Sequence, residues 1–299
     1  QATAAGAIAI GDDIDTDDTG AQASATGAIA IGQDSAASGL YAMAFGADSS
    51  ASGGSSMAFG QDASVLSQNT VALGNGVSAS VNTAHSVVIG SGASATGLGA
   101  SSVIIGYDAT SEAPSSVAIG NGAEVTGERA TAIGYDSSAA GSLGLAGGGN
   151  AAAAGANSVA LGGGDGVTTD GATAYNTGSI AIGADSVAGI SGGGVTYDTA
   201  LGYGASATGG AGFAAGVNAR ATAANAIAIG RVVGIHIADE ILTDGRVDMG
   251  KFRPIARLGY WDYTAVETTF DAAQAAVTLA IDTAYGAIEA GVRAVEEVV

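Results

Sequence analysis

Cysteine is absent, which excludes a disulfide framework, a thiolate metal centre and a cysteine nucleophile. Histidine occurs only at His85 and His236, far apart in sequence, and His85 has no acid at ligand spacing. Aromatic residues make up 5% of the chain, too few for the large-side-chain core of an ordinary globular domain. Positive charge is equally scarce: eight Lys and Arg against 28 Asp and Glu, a net charge of −20. Residues 1–230 hold only Arg129 and Arg220 against 17 acids. Such a surface repels phosphate backbones and anionic headgroups, so neither nucleic acid nor an anionic membrane is an expected partner. No run of about 18 apolar residues is free of charge, so no membrane-spanning helix is expected either.

What the chain does have is glycine, 51 of it, and alanine, arranged periodically. The stretch Ser116-Val117-Ala118-Ile119-Gly120 recurs in near-copies that close at Gly11, Gly32, Gly46, Gly60, Gly74, Gly90, Gly106, Gly134, Gly162, Gly183, Gly202 and Gly230. Weaker copies end at Gly147 and Gly216. The commonest spacing is 14, as in Gly32, Gly46, Gly60 and Gly74, and a short persistent period is the signature of a solenoid with one coil per repeat. Two positions after each landmark glycine stands a turn residue, such as Asp34, Asp48, Asp62, Gly92, Asp108 or Gly122, of the types that tolerate a tight corner. Small residues follow in alternation, as in Ala93 and Ala95 or Ala123 and Val125. Each coil therefore reads as two short strands and two turns, and the fold class is an all-β solenoid, a β-roll of about 14 residues per coil. Val117 and Ile119 share one strand face, and we expect these large residues to meet the small ones of the other strand inside the roll.

Irregular intervals mark insertions. The first, between Gly11 and Gly32, contains Asp13, Asp15 and Asp17, the one-three-five spacing that begins a calcium loop. Asp18 stands where that loop needs glycine, and the twelfth position lacks glutamate, so a solvated acidic loop is favoured over calcium. Two more insertions lie between Gly162 and Gly183 and between Gly183 and Gly202. They carry Tyr175 and Tyr197, candidate ligand contacts on loops projecting from a regular scaffold. The triple glycines 147–149 and 162–164 lack the Lys-Ser/Thr pair and helix pattern of a phosphate loop.

After Gly230 the texture changes. Residues 231–269 have conventional composition and read as a capping or neck-like segment, with a strand at Val232–Ile237 and a turn at Asp244-Gly245. Residues 270–299 read as a C-terminal α-helix. Its seam, Val277, Ile281, Ala284, Ile288, Val295 and Val298, has the 4-3 spacing of a short coiled coil. The domain division is thus 1–230, 231–269 and 270–299.

The repeats of the form Ser-Val-Ala-Ile-Gly-x-Gly/Asp-Ala-x-Ala/Val-x-Gly resemble the head repeats of trimeric autotransporter adhesins, the YadA-like head, over residues 1–230. The resemblance implies a left-handed parallel β-roll, three copies packed around one axis, and a fibre tip on a bacterial surface that attaches to extracellular matrix, host cells or other cells. Similar repeats also occur in phage tail fibres. A second, local resemblance joins Val232–Ile237, Asp244–Asp248 and Arg253–Tyr260 to the tail of split-barrel flavin reductases. The flavin-holding barrel is lacking, so an end cap for the solenoid is the more economical expectation.

For catalysis the chain offers no nucleophile with its base and no Gly-x-Ser-x-Gly elbow between strand and helix, and its acids occupy turns. An enzyme is the weakest expectation. A non-enzymatic, homotrimeric adhesin head, without cofactor, leads; a phage tail-fibre or receptor-binding spike and a structural filament subunit are the alternatives.

Overall fold

A computed structural model describes residues 1–12, 20–97, 101–164, 167, 170–194 and 196–230, and the short strands 242–243, 246–247, 255–257 and 263–265. The chain divides into two compact units, Gln1–Arg231 and Val232–Val299. In the first, the three-residue landmark strands form one parallel sheet of 15, and two-residue strands form a second parallel sheet of 14, each strand paired with the equivalents one coil away. Register is strict: Val117 pairs with Val103 and Thr131, and Ile119 with Ile105 and Ile133. Coil stacks on coil through the ladder, for example Val117 N–H to the Ala130 carbonyl at 3.0 Å and Gly120 N–H to the Ile105 carbonyl at 2.8 Å.

The core differs from expectation in which face it uses. Ala118, in the middle of its strand, is fully buried, whereas Val117 and Ile119 are half-exposed on the outer face. The same holds coil after coil: Ala30, Ala44, Ala58, Ala72 and Ala132 point inward and are fully buried. Opposite them lie the inward residues of the second sheet, such as Ala51, Val65, Ala79 and Val125. The physical reason is space. A loop of 14 residues that makes two turns leaves a lumen filled mainly by methyl groups, with valines in some coils and a larger side chain at Ile104, and a close-packed interior accepts extra methylenes only at a cost in strain. Large side chains are therefore driven to the outer face of the landmark sheet.

The corners explain the punctuation. Asp34, Asp48, Asp62, Asp108 and Asp136 all adopt left-handed backbone, with φ between 46° and 56°, as their position two after the glycine suggested. A second left-handed column, two residues before each landmark strand, is held by residues as different as Tyr41, Ser55, Arg129 and Leu143. The landmark glycine itself is required by contact: at Gly120, φ is +140° and a Cβ would lie 2.2 Å from the Gly134 carbonyl oxygen of the next coil.

One aspartate is buried away from the first corner. Asp198 stands where several coils have serine, and it is fully buried in the roll. Its Oδ1 accepts from the Gly210 and Gly212 N–H groups at 3.0 and 2.9 Å, while Oδ2 has no hydrogen-bond partner among the described residues.

Beyond residue 241 the described strands form two antiparallel pairs. Leu242–Thr243 pairs with Arg246–Val247, flanking Asp244-Gly245, and Ile255–Arg257 pairs with Tyr263–Ala265. The helical seam at Val277, Ile281, Ala284, Ile288, Val295 and Val298, the strand expected at Val232–Ile237 and the acidic run Asp13, Asp15 and Asp17 lie outside the described residues.

Two glycines separate conformation from composition. Gly120→Ala forces a Cβ into the next coil's backbone and is expected to cost about 3 kcal/mol or more. Gly54→Ala meets only the Leu40 carbonyl, at 3.8 Å and without positive φ, and is expected to change stability by less than about 1 kcal/mol. Unfolding midpoints by circular dichroism read both; equal midpoints would refute the close-approach argument. For Asp198, the Ala variant strands one buried and one partly buried N–H group while Asn keeps their acceptor, so Asp198→Asn should be more stable than Asp198→Ala by about 1–3 kcal/mol. Indistinguishable denaturation curves would contradict that role.

Candidate functional site

Two surface features of the roll rise above the regular scaffold. The first is the outer face of the landmark sheet. Because register is strict, the outward residues form two apolar files that are continuous over the coils from Ile29 to Ile119. One includes Ile29, Met43, Met57, Val71, Val87, Val103 and Val117, and the other Ile31, Phe45, Phe59, Leu73, Ile89, Ile105 and Ile119. Neighbours within a file touch: the Phe45 and Phe59 rings stack with centroids 5.3 Å apart. Exposure stays high along them, 47% at Phe59, 43% at Leu73 and 45% at Ile133. A contiguous apolar face of this extent marks an interaction surface. Sequence reasoning missed it by assigning these side chains to the interior; the signal available was the repetition of large residues at alternate positions, which does not say which face is inward.

The second feature lies where the coil between Gly183 and Gly202 is lengthened. Asn176 occupies a corner that is glycine in several other coils, and its amide binds the inserted segment. Nδ2 donates to the carbonyls of Ile190 and Gly193 at 3.1 and 2.8 Å, and Oδ1 accepts from the Ile190 N–H at 2.7 Å. Glycine is needed beside it at Gly189, where a Cβ would fall 2.0 Å from Asn176 Oδ1. Between the inserted segment and the preceding coils is an open cavity of about 400 Å³. Tyr175, one of the two tyrosines singled out as contacts, lines it. Tyr197, the other, is placed differently. Its backbone is left-handed, with φ 63°, and its ring lies across Gly178, where a Cβ would meet ring carbon Cδ1 at 2.6 Å. One ring face is thereby spent on the scaffold, although the side chain is exposed. Tyr41 covers Gly27 in the same manner.

Ionisable groups on the roll are mostly solitary. The carboxylate of Asp185 accepts a hydrogen bond from Tyr203 and holds its phenol above the usual tyrosine range, and Asp136 acts likewise on Tyr135. Both phenols stay neutral hydrogen-bond donors well above neutral pH, an arrangement opposite to that of an activated nucleophile. His85 borders Asn69 at 3.3 Å on the surface. Among the described residues, no group of three His, Cys, Asp or Glu side chains is gathered as a metal site.

Comparison with known proteins was consistent with this architecture. The YadA head domain repeat matches residues 19–35, 23–49, 37–63, 51–76, 98–123, 126–142 and 207–231. No curated protein matches the chain. Among solved structures, the crystal structure of the collagen-binding domain of the Yersinia adhesin YadA is similar, with 24% identity over 59% of this chain and 80% of that one, at a TM-score of 0.34. With its 14-residue coils, glycine-closed landmark strands and two parallel ladders, the roll of this chain is an all-β solenoid that is YadA-like in the stretches matching the YadA head domain repeat.

Proposed function

We propose that the protein is a non-enzymatic adhesin head that assembles as a homotrimer through the apolar outer face of the landmark sheet and attaches, at a bacterial cell surface, to extracellular matrix or to other cells. The observation that carries the proposal is the pair of apolar files that run uninterrupted from Ile29 to Ile119, through Phe45, Phe59 and Leu73. Each half-exposed Val, Leu, Ile or Phe gains on the order of 1 kcal/mol when its remaining surface is covered. A solenoid repeats that gain once or twice per coil, so a lone chain leaves much of its available hydrophobic stabilisation unused. A second copy of the same face is the complementary partner, since its files repeat with the same spacing.

Attachment then follows from multiplicity. Three copies held together present every surface loop three times, raising effective concentration so that individually weak contacts suffice. The net charge of −20 keeps the assembly solvated and disfavours anionic partners. Tyr175 and Tyr197, in and beside the insertions, are the proposed contact residues. The matched head repeats support this reading, and the titratable side chains described above supply no reacting pair.

The test couples assembly to attachment. Beads coated at low density with the full chain are scored for retention on matrix-coated and cell-coated surfaces, beside a Phe59→Asp, Ile119→Asp variant. Both substitutions lie on the outer face, so the β-rich circular dichroism spectrum should persist while retention falls by about tenfold or more. No retention of the unmodified chain on any such surface would refute the adhesin reading. Equal retention by the variant would refute its dependence on the apolar face.

A further inference from the structure

The cavity beside Asn176 has the construction of a binding site. Its volume, about 400 Å³, falls in the range of small-ligand pockets, roughly 300–1,000 Å³. It is also pre-formed: the three hydrogen bonds of the Asn176 amide fix the inserted segment at Ile190 and Gly193. Asn176 is itself only 9% exposed, so the clamp sits inside the wall rather than on its rim. The floor is equally firm, since Tyr175 N–H bonds the Ala188 carbonyl and Gly178 N–H bonds the Ala156 carbonyl.

Its chemistry is selective. Three side-chain hydroxyls line it, those of Tyr175, Thr177 and Thr196, and none bonds another described residue. Each can donate and accept at once. The lining is mostly polar, with Tyr175, Ala154 and Ala156 adding a smaller apolar share. Among the described residues, no Asp, Glu, Lys, Arg or His lines the cavity. Such a wall offers an ion no partner, and the acidic chain as a whole disfavours anions. An extended peptide is also a poor fit, because the adjoining strand already spends its N–H groups within the ladder and presents no free edge.

We infer that this cavity binds a neutral carbohydrate, one or two sugar residues deep, with a C–H face of the sugar against the Tyr175 ring and its hydroxyls exchanging hydrogen bonds with Thr177 and Thr196. Sugars combine the two features the wall provides, apolar C–H faces and hydroxyls that both donate and accept. The inference deepens the contact role of Tyr175 proposed above, and it rests on lining residues that all belong to one chain.

Saturation-transfer NMR on the full chain tests it, with a panel of neutral methyl glycosides and neutral disaccharides at millimolar concentration and their carboxylated or sulfated counterparts beside them. Transfer to at least one neutral sugar is expected, with weaker transfer to its acidic counterpart. Tyr175→Ala should weaken that binding by about tenfold or more, and Tyr175→Phe by only a few-fold, because the ring remains. Asn176→Ala should weaken it too, through a loosened inserted segment, with hydrogen exchange rising at residues 190–194 and not in the landmark strands. Absence of transfer to every neutral sugar, preference for the acidic ones, or binding untouched by Tyr175→Ala would each overturn the inference. Monovalent soluble sugars make the outcome separate from bead retention, so the attachment reading and the sugar site stand or fall independently.

Discussion

The width of the lumen governs this molecule. Two parallel sheets closed by 14-residue coils leave an interior that admits Ala118, Ala132 and Val125 but rejects a second row of Ile and Phe. Alanine gives little hydrophobic stabilisation per residue, so cohesion comes from repeated ladder hydrogen bonds and from register kept over the whole length of the roll. The same closeness fixes the landmark glycines, because the carbonyl of one coil lies where the Cβ of the previous coil would be. Alanine core, glycine landmark and outward apolar files are three consequences of one spacing.

That spacing also decided what the sequence could reveal. Strand positions, coil length and the first corner were legible, because glycine and aspartate at fixed offsets report backbone conformation directly. The inward face was not. A period of two says that Val117 and Ile119 share a face and leaves open which face is covered; the usual preference for burying the larger residues pointed the wrong way. The second corner was hidden for a different reason. Leu143, Arg129 and Tyr41 have no intrinsic taste for left-handed backbone, and the stacked coils above and below impose it at a cost of about 1–2 kcal/mol each. Asp198 was grouped with the turn acids, although its position in the repeat is that of an inward serine.

The insertions show how a monotonous scaffold acquires individuality. Interval counting located them, and Tyr175 was recognisable as an aromatic residue in an aromatic-poor chain. The cavity was not recognisable, since it depends on Asn176 replacing a corner glycine and clamping a segment more than a dozen residues downstream. Tyr197 looked equivalent to Tyr175 in sequence, yet its ring caps Gly178. On such a fold, departures from the repeat are where individual surface features arise, while the repeat supplies a rigid frame.

The central claim is that the outward apolar files are covered by copies of the same chain. Static light scattering on the purified full chain at micromolar concentration tests it directly. The account predicts a mass three times that of the 28.1 kDa chain. A mass of one chain under those conditions would leave the files exposed to water and would contradict it.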